Sequence, residues 1–350
     1  MAGDVVAGET GSAGFGILGP LEVSRSGRAV PLGGPRQRAV LALLLLEANR
    51  VVSMDRLAED VWGGHPPKGW VTTLQTYVFH LRRALEPGRL PGIAGGVWVT
   101  RDRGYLLRVD REHLDAAQFQ DGFTAGRAAL EAGRYAEAAE ALRKALDRWR
   151  SPVLADLADY AFTRPEAARL EELRLAALEA RIDADLALGR HDALTGELER
   201  LVAEHPLRER LHGQLMLALY RSGRQAEALA AYRRVRDLLA GELGIDPGEP
   251  LQRLHASVLG HDPALDWSES CRTLTEGHRA GASPPAPSPA PEHRGPRLAA
   301  VSCVPGSGWG RAHRLLVAGL VLAVIAAAAI AAWPGRGRSG QRACPPTAWV

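Results

Sequence analysis

The chain has 350 residues, of which 46% are hydrophobic and 24% charged, and its net charge is +3. This length allows two ordinary domains and further segments. The three cysteines are scattered, odd in number and remote from any histidine cluster, which argues against a disulfide framework and a zinc site. No charged segment followed by an apolar stretch opens the sequence, so we predict no cleavable signal peptide.

The charges are unevenly distributed. Residues 1–110 carry 13 basic and 10 acidic side chains, residues 111–262 carry 21 and 26, and residues 263–350 carry 9 and 4. Within the first segment, residues 62–108 hold 7 basic side chains and only 2 acidic ones. A local excess of positive charge favours a polyanionic partner such as nucleic acid.

The N-terminal third contains several short elements. Residues 1–14 are mostly small and are predicted to be disordered. Two apolar runs in residues 15–34, separated by Ser-Gly, predict a β-hairpin or small sheet. A proline opens a predicted helix over residues 35–48, and Ser53 is a candidate N-cap for a second helix over residues 54–62.

Residues 69–85, GWVTTLQTYVFHLRRAL, predict a third, amphipathic helix. Its apolar face holds Leu74, Val78, Leu81 and Leu85. Its opposite face holds Thr72, Thr73, Thr76, His80 and Arg83, and its edges hold Gln75, Phe79 and Arg82. Short polar groups of this kind can reach base edges in a major groove while guanidinium groups bind phosphates. The alternative is an ordinary surface helix of a globular domain.

A hairpin follows this helix. Residues 86–96 are rich in Gly and Pro and predict a loop, whereas residues 97–109 contain two alternating runs around Arg101-Asp102-Arg103-Gly104. Three helices followed by a hairpin indicate a winged helix-turn-helix. In that module the third helix enters the major groove and an arginine at the hairpin tip can enter the minor groove.

Five segments carry a family resemblance: ILGPLEV at 17–23, PRQRAVLALLLLEANRVVS at 35–53, LAEDVWG at 57–63, LQTYVFHLRRAL at 74–85 and RGYLL at 103–107. They resemble the DNA-binding domain of the Streptomyces antibiotic regulatory proteins (the SARP or AfsR/DnrI/RedD group), which is similar to that of OmpR-type response regulators. The resemblance implies base-reading roles for Thr73, Thr76, Phe79 and His80. It implies phosphate or minor-groove roles for Thr72, Arg82, Arg83, Arg101 and Arg103.

Phe79 is unusual at a base-reading position, where the family often has small polar or basic residues. A phenyl ring there can pack against a thymine methyl group. In the alternative interpretation, Phe79 and its neighbour Tyr77 are partly buried.

A recurring phrase marks the second third of the chain: LEAGRYAEAAEAL at 130–142, LALGRHDALTGEL at 186–198 and YRSGRQAEALAAY at 220–232. The last two Gly-Arg pairs lie 34 residues apart, the period of a tetratricopeptide repeat, and Ala138 and Ala228 suit close helix crossings. The segment GELGIDPGEPLQRLH at 241–255 resembles the end of the bacterial transcriptional activation domain of the same family.

No sequence motif indicates catalysis. The chain lacks GxxxxGK[ST], GxSxG and HExxH motifs, so we predict neither enzymatic activity nor a cofactor. The glycine-rich residues 306–310 follow no predicted strand and are interpreted as linker. His191, His205 and His212 are dispersed on helix ends that look exposed, and we predict no metal site.

The C-terminal part differs in composition. Residues 263–314 are rich in Pro, Ala and Gly and predict a disordered linker. Residues 315–333 are uncharged and would span about 28 Å as a helix, which predicts a single transmembrane helix followed by a short tail, residues 334–350. An apolar stretch of no function, or a packing helix, is the alternative. Flanking charges do not decide the orientation, but DNA binding requires the N-terminal domains to be cytoplasmic.

The sequence therefore predicts a mainly α-helical chain with small β elements, built as follows: an OmpR/PhoB-type winged helix-turn-helix in residues 15–110, a TPR-like all-α domain in residues 111–262, a linker and a single-pass helix in the cytoplasmic membrane. By resemblance we expect a sequence-specific transcriptional regulator, an activator of a biosynthetic gene cluster such as one for an antibiotic. It would bind direct repeats in double-stranded DNA near promoters as a homodimer and contact RNA polymerase. The alternative is a membrane-tethered TPR-like adaptor whose winged helix is degenerate.

Overall fold

The computed structural model describes residues 13–87 and 96–267. The three cysteines, the predicted transmembrane helix at 315–333 and the tail at 334–350 lie outside these residues. Among the helices that are described, none is both long and apolar enough to cross a bilayer.

The described part of the chain begins with a small antiparallel sheet, as the two apolar runs predict. Its strands, in the spatial order β1-β2-β3, are β1 (Ala13–Gly16), β2 (Glu22–Arg25) and β3 (Arg28–Ala29). Phe15 lies opposite Val23 and both side chains are buried. The prediction of disorder over residues 1–14 is wrong at its end, because Ala13 is buried and pairs with Arg25.

Three helices follow: α1 (Pro35–Leu46), α2 (Met54–Trp62) and α3 (Trp70–Leu85). The centre of α1 is buried on every side, with residues 39–45 at most 1% exposed. The Oγ of Ser53 accepts a hydrogen bond from the backbone N–H of Arg56 at 3.1 Å, which confirms the predicted N-cap of α2. Gly63 ends that helix in the left-handed region at a φ of +61°.

The predicted wing is a second three-stranded antiparallel sheet. It has the order β4-β6-β5, with strands β4 (Val52–Ser53), β5 (Trp98–Arg101) and β6 (Gly104–Leu107). Asp102, at a φ of +34°, and Arg103 connect β5 to β6. A Cβ atom at Gly104 would lie 2.4 Å from the carbonyl oxygen of Val52, so only glycine allows β4 and β6 to approach this closely.

The rest of the described chain is helical. Its seven α-helices are α4 (Asp115–Glu131), α5 (Tyr135–Leu146), α6 (Arg164–Ala187), α7 (His191–Glu204), α8 (Glu209–Arg221), α9 (Gln225–Leu243) and α10 (Glu249–Leu259). Short 3₁₀ segments connect some of them. Ala138 and Ala228 are fully buried, as their predicted role at helix crossings requires.

The recurring Gly-Arg pairs form the turns between α4 and α5, α6 and α7, and α8 and α9. Gly133, Gly189 and Gly223 have φ values of +73°, +76° and +74°. In each turn the N–H of the following arginine donates to the carbonyl oxygen five residues earlier. This is the Schellman termination of a helix, which needs a left-handed residue at the glycine position. The repeated phrase is therefore a repeated helix ending.

The predicted linker begins too early at residue 263. Residues 263–265 form a 3₁₀ turn, and the Nε1 of Trp267 donates to the carbonyl oxygen of Ala187 at 3.1 Å. These contacts place the start of the predicted linker against the end of α6.

The two predicted domains are joined through the loop after β1. The carboxylate of Asp115, the first residue of α4, accepts hydrogen bonds from the backbone N–H groups of Ile17 and Leu18 at 2.9 and 3.0 Å. On the other side, the N–H groups of Arg150 and Leu154 donate to the carbonyl oxygens of Leu18 and Ile17 at 2.9 and 3.1 Å. The backbone of this loop is thus bonded from two parts of the helical region.

A second carboxylate strengthens the same junction. Asp156 accepts from the N–H of Leu21 at 2.7 Å and pairs with the guanidinium group of Arg38 in α1 at 2.5 Å. Apolar side chains of the winged helix and of α4 to α6 belong to one continuous hydrophobic cluster. The boundary near residue 110 separates two sequence regions but not two cores.

Replacing Asp115 by Ala should lower the free energy of unfolding by about 3 kcal/mol, because two backbone amides would lose their acceptor in a place that water reaches poorly. The Asp115 side chain is only 16% exposed. Burial raises the pKa of its carboxyl group, and the hydrogen bonds from Ile17 and Leu18 oppose that rise. Urea denaturation of the full chain measures the change.

Asp121→Ala is the matched control. Asp121 is 57% exposed and pairs with Arg111 at 2.5 Å, and an exposed ion pair contributes less than about 1 kcal/mol. Equal losses in the two variants would contradict the importance of the Asp115 contacts.

Candidate nucleic-acid interface

The outer face of α3 is the centre of the candidate interface. The four apolar residues predicted to face the core are all buried. No residue of Trp70–Leu85 is acidic, although the chain has 40 Asp and Glu residues. The exposed face carries Thr72, Gln75, Thr76, Phe79, His80 and Arg83. Three of the four predicted base-reading residues therefore lie on one accessible surface, and the fourth, Thr73, is half-buried at its edge.

The threonine hydroxyl groups are engaged within the helix. The Oγ1 of Thr76 donates to the carbonyl oxygen of Thr72 at 2.9 Å, and the Oγ1 of Thr73 donates to that of Gly69 at 3.5 Å. Each oxygen keeps a lone pair, so Thr76 can still accept a hydrogen bond from a base amino group.

The two aromatic residues differ in their surroundings. Phe79 is 60% exposed, and its ring lies edge-to-face against the imidazole of His80, with 5.6 Å between ring centroids. Tyr77 is half-buried and stacks on Trp62 at 6.2 Å. The interpretation that both rings are partly buried holds for Tyr77 and is wrong for Phe79.

The wing presents two cations on either side of its turn. Arg101 and Arg103 are both exposed. The carbonyl oxygen of Arg103 accepts from the N–H of Met54, the first residue of α2, at 2.8 Å. This bond fixes the backbone of the tip while leaving both guanidinium groups accessible.

Arg82 differs from the other predicted phosphate ligands. It is half-buried, and its Nη2 donates to the Oγ1 of Thr100 in β5 at 3.0 Å. Arg82 also lies near the phenol group of Tyr105. Burial raises the pKa of that phenol, and the positive charge of Arg82 opposes the rise. Arg82 thus connects α3 to the wing, whereas Arg83 is exposed.

Two accessible polar residues were missing from the predicted site. Gln75 lies on the exposed face of α3, and its amide can both donate to and accept from a base edge. Lys68 is exposed just before the helix begins. The helical period placed Gln75 at the edge of the polar face. Gln75 lies four residues before Phe79, one turn along the helix, and this spacing indicates that the two side chains lie on the same face.

The described residues offer no metal centre. Within residues 13–87 and 96–267, no three His, Cys, Asp or Glu side chains lie close enough together to hold a metal ion. The expectation that His212 is exposed is wrong. It is buried in α8, its Nε2 lies 2.8 Å from the carbonyl oxygen of Pro206, and burial lowers its pKa.

Two protein families match the chain. Residues 27–107 match the family described as transcriptional regulatory protein, C terminal, and residues 114–259 match the bacterial transcriptional activator domain. The first range contains α3 and the wing, and the second contains α4 to α10.

Individual relatives match across both ranges. The regulatory protein DnrI of Streptomyces peucetius is 41% identical over 253 residues, which cover 71% of this chain and 93% of DnrI. The regulatory protein AfsR of Streptomyces coelicolor is 45% identical over 258 residues, which cover 73% of this chain but only 25% of AfsR.

A solved structure of Mycobacterium tuberculosis EmbR, in complex with a low-affinity phosphopeptide, is 41% identical and superimposes with a TM-score of 0.70 over 76% of this chain and 70% of that one. The two matched families are those of transcriptional regulators and not of enzymes. The chain belongs to the AfsR/DnrI/EmbR family of transcriptional regulators, which combine an OmpR-type DNA-binding domain with a bacterial transcriptional activator domain.

Proposed function

We propose that this regulator is a sequence-specific transcriptional activator that places α3 in the major groove and the wing tip in the adjacent minor groove. The observation that carries the proposal is the exposed face of α3. This face lacks any carboxylate and includes polar and aromatic side chains and Arg83, while the wing that follows adds the exposed Arg101 and Arg103. Because α3 has no acidic side chain, it does not repel the phosphate groups of a nucleic acid. Its exposed polar side chains can form hydrogen bonds with base edges.

The groups on this surface divide into two roles. Gln75 and His80 supply donors for base edges, and the hydroxyl oxygen of Thr76 supplies an acceptor, whereas the hydroxyl group of Thr72 can donate to a phosphate. Arg83 and the wing arginines neutralise phosphate charge or enter the narrow groove, where the potential is most negative. Arg82 holds the wing against α3, so its contribution is geometric as well as electrostatic.

The helical region provides contacts between protein chains. We expect two copies to bind head-to-tail on direct repeats near a promoter, with the α4 to α10 region contacting the second copy or RNA polymerase. For both recognition helices to face the same side of the duplex, the half-sites must lie about one helical turn, roughly 10 base pairs, apart. The regulated genes would form a biosynthetic cluster, as for antibiotic production.

Selection of binding sites by the full chain from a random duplex library tests this function. We expect enrichment of a short motif that occurs twice in the same orientation. Inserting about half a turn, 5 base pairs, between the copies should abolish cooperative binding, because the second half-site then faces the opposite side of the duplex. Absence of any enriched motif would favour the adaptor alternative.

Arg83→Ala and Arg101→Ala should each weaken binding to all sequences and make the dependence on salt less steep. Each lost phosphate contact reduces the slope of log K against log salt concentration by about 0.9. Fluorescence anisotropy on a selected duplex at several salt concentrations measures that slope.

Arg253→Ala in α10 is the control, since this side chain is 69% exposed and remote in sequence from the interface. An equal loss of slope in this control would show that the contacts are distributed over the whole chain rather than concentrated at α3 and the wing.

We also propose that residues 315–333 anchor the protein in the cytoplasmic membrane by a single pass, with the DNA-binding domain in the cytoplasm. The support is the sequence alone, 19 uncharged and mainly apolar residues outside the described part of the chain. The intact protein should sediment with membranes, and a variant lacking residues 315–333 should remain in the supernatant. Sedimentation that the deletion does not change would contradict the anchor.

A further inference from the structure

Phe79 is the most exposed apolar residue of α3, whereas Val71, in the first turn of the helix, is 39% exposed. The other exposed residues from Thr72 to Arg83 can hydrogen-bond or carry charge, whereas Phe79 offers only a ring, of which 60% is accessible. Thr72, Thr76, Phe79 and Arg83 follow one another at spacings of four, three and four residues, so the ring lies in the middle of the stripe. A ring in that position meets whatever occupies the centre of the interface.

The residues next to Phe79 contact its ring and enlarge the apolar surface around it. The His80 imidazole packs edge-to-face against it at an interplanar angle of 71°. One helical turn earlier, the Thr76 hydroxyl donates to the carbonyl oxygen of Thr72. Because that hydrogen is engaged, Thr76 offers a ligand its methyl group and the lone pairs of its hydroxyl oxygen rather than a donor.

The major-groove edges of base pairs carry hydrogen-bonding groups and a single kind of apolar group, the C5-methyl of thymine. We infer that Phe79, together with the methyl group of Thr76, recognises a thymine methyl group in each half-site and so determines sequence preference. The inference rests on the proposed function and specifies the base that one residue reads.

Replacement of thymine by deoxyuracil tests this contact, because it removes the methyl group and leaves the base-pairing and groove-edge hydrogen bonds unchanged. Each thymine of a selected duplex is replaced in turn, and the affinity of the full chain is measured. We expect one position per half-site at which binding weakens about fourfold, the factor for one methyl-sized apolar group. Phe79→Ala should bind the unmodified duplex more weakly and be insensitive to uracil at that same position.

Two variants make the result specific. Leu207→Ala removes another exposed apolar side chain, 47% accessible and located between α7 and α8, and should retain the full sensitivity to uracil. Phe79→Leu keeps an apolar group and should recover part of the sensitivity. Since Phe79 is mostly exposed, neither of its substitutions removes a core contact.

Other outcomes overturn the inference. In the first, the wild-type chain selects a motif and yet binds it equally well after every uracil substitution. In that case Phe79 reads no methyl group, and the proposed function stands without this inference. Equal sensitivity of the wild-type chain and Phe79→Ala would assign the methyl contact to another residue. If Phe79→Ala binds the unmodified duplex as well as the wild type does, the ring makes no contact with DNA that contributes to affinity. If no motif is selected at all, the proposed function and the inference fail together.

Discussion

The Asp115 carboxylate holds the backbone of Ile17 and Leu18 from one side while the segment at Arg150 to Leu154 holds it from the other. Backbone amides in a loop with little access to water need such partners, and here the partners come from the neighbouring domain. The N-terminal sheet is therefore bonded to the helical region rather than packed loosely beside it. The position of α3 relative to α4, α5 and α6 depends on this connection, since the winged helix and those three helices have a common core.

The three helices and the hairpin of the winged helix could be predicted from local sequence signals, whereas strand β4 was not predicted. Proline at the start of α1, Ser53 before α2 and the two alternating runs of the wing each act within a few residues, and each was placed correctly. The junction could not be predicted in this way. Asp115 lies 98 residues from Ile17 in the chain, and nothing in its local pattern distinguishes a carboxylate that bonds a distant loop from one that begins a helix. The burial of residues 39–45 on every side of α1 has the same cause, because part of that surface faces elements far away in sequence, such as β6.

In the candidate interface, too, features set by neighbouring residues could be predicted, whereas contacts between residues distant in sequence could not. The helical period identified the accessible face of α3, since exposure on a helix follows from spacing. The family resemblance assigned both Arg82 and Arg83 to phosphate. In the structure the two arginines differ, as Arg82 reaches across to Thr100 on β5 while Arg83 remains in solvent. The contact joins α3 to a strand 18 residues later in the chain, so it depends on how the wing folds back against the helix. The sequence of the helix alone does not predict that arrangement.

The contact of Trp267 with the turn after α6 has a geometric consequence. A Cβ atom at Gly189 would lie 2.5 Å from the indole ring, so the absence of a side chain at this glycine makes room for the tryptophan. The Nε of Arg221 also donates to the carbonyl oxygen of Leu265 at 2.8 Å. The polypeptide thus runs back from α10 to the middle of the helical array before residue 268. The segment that follows residue 267 therefore starts beside the turn after α6 rather than at the end of the last helix, α10.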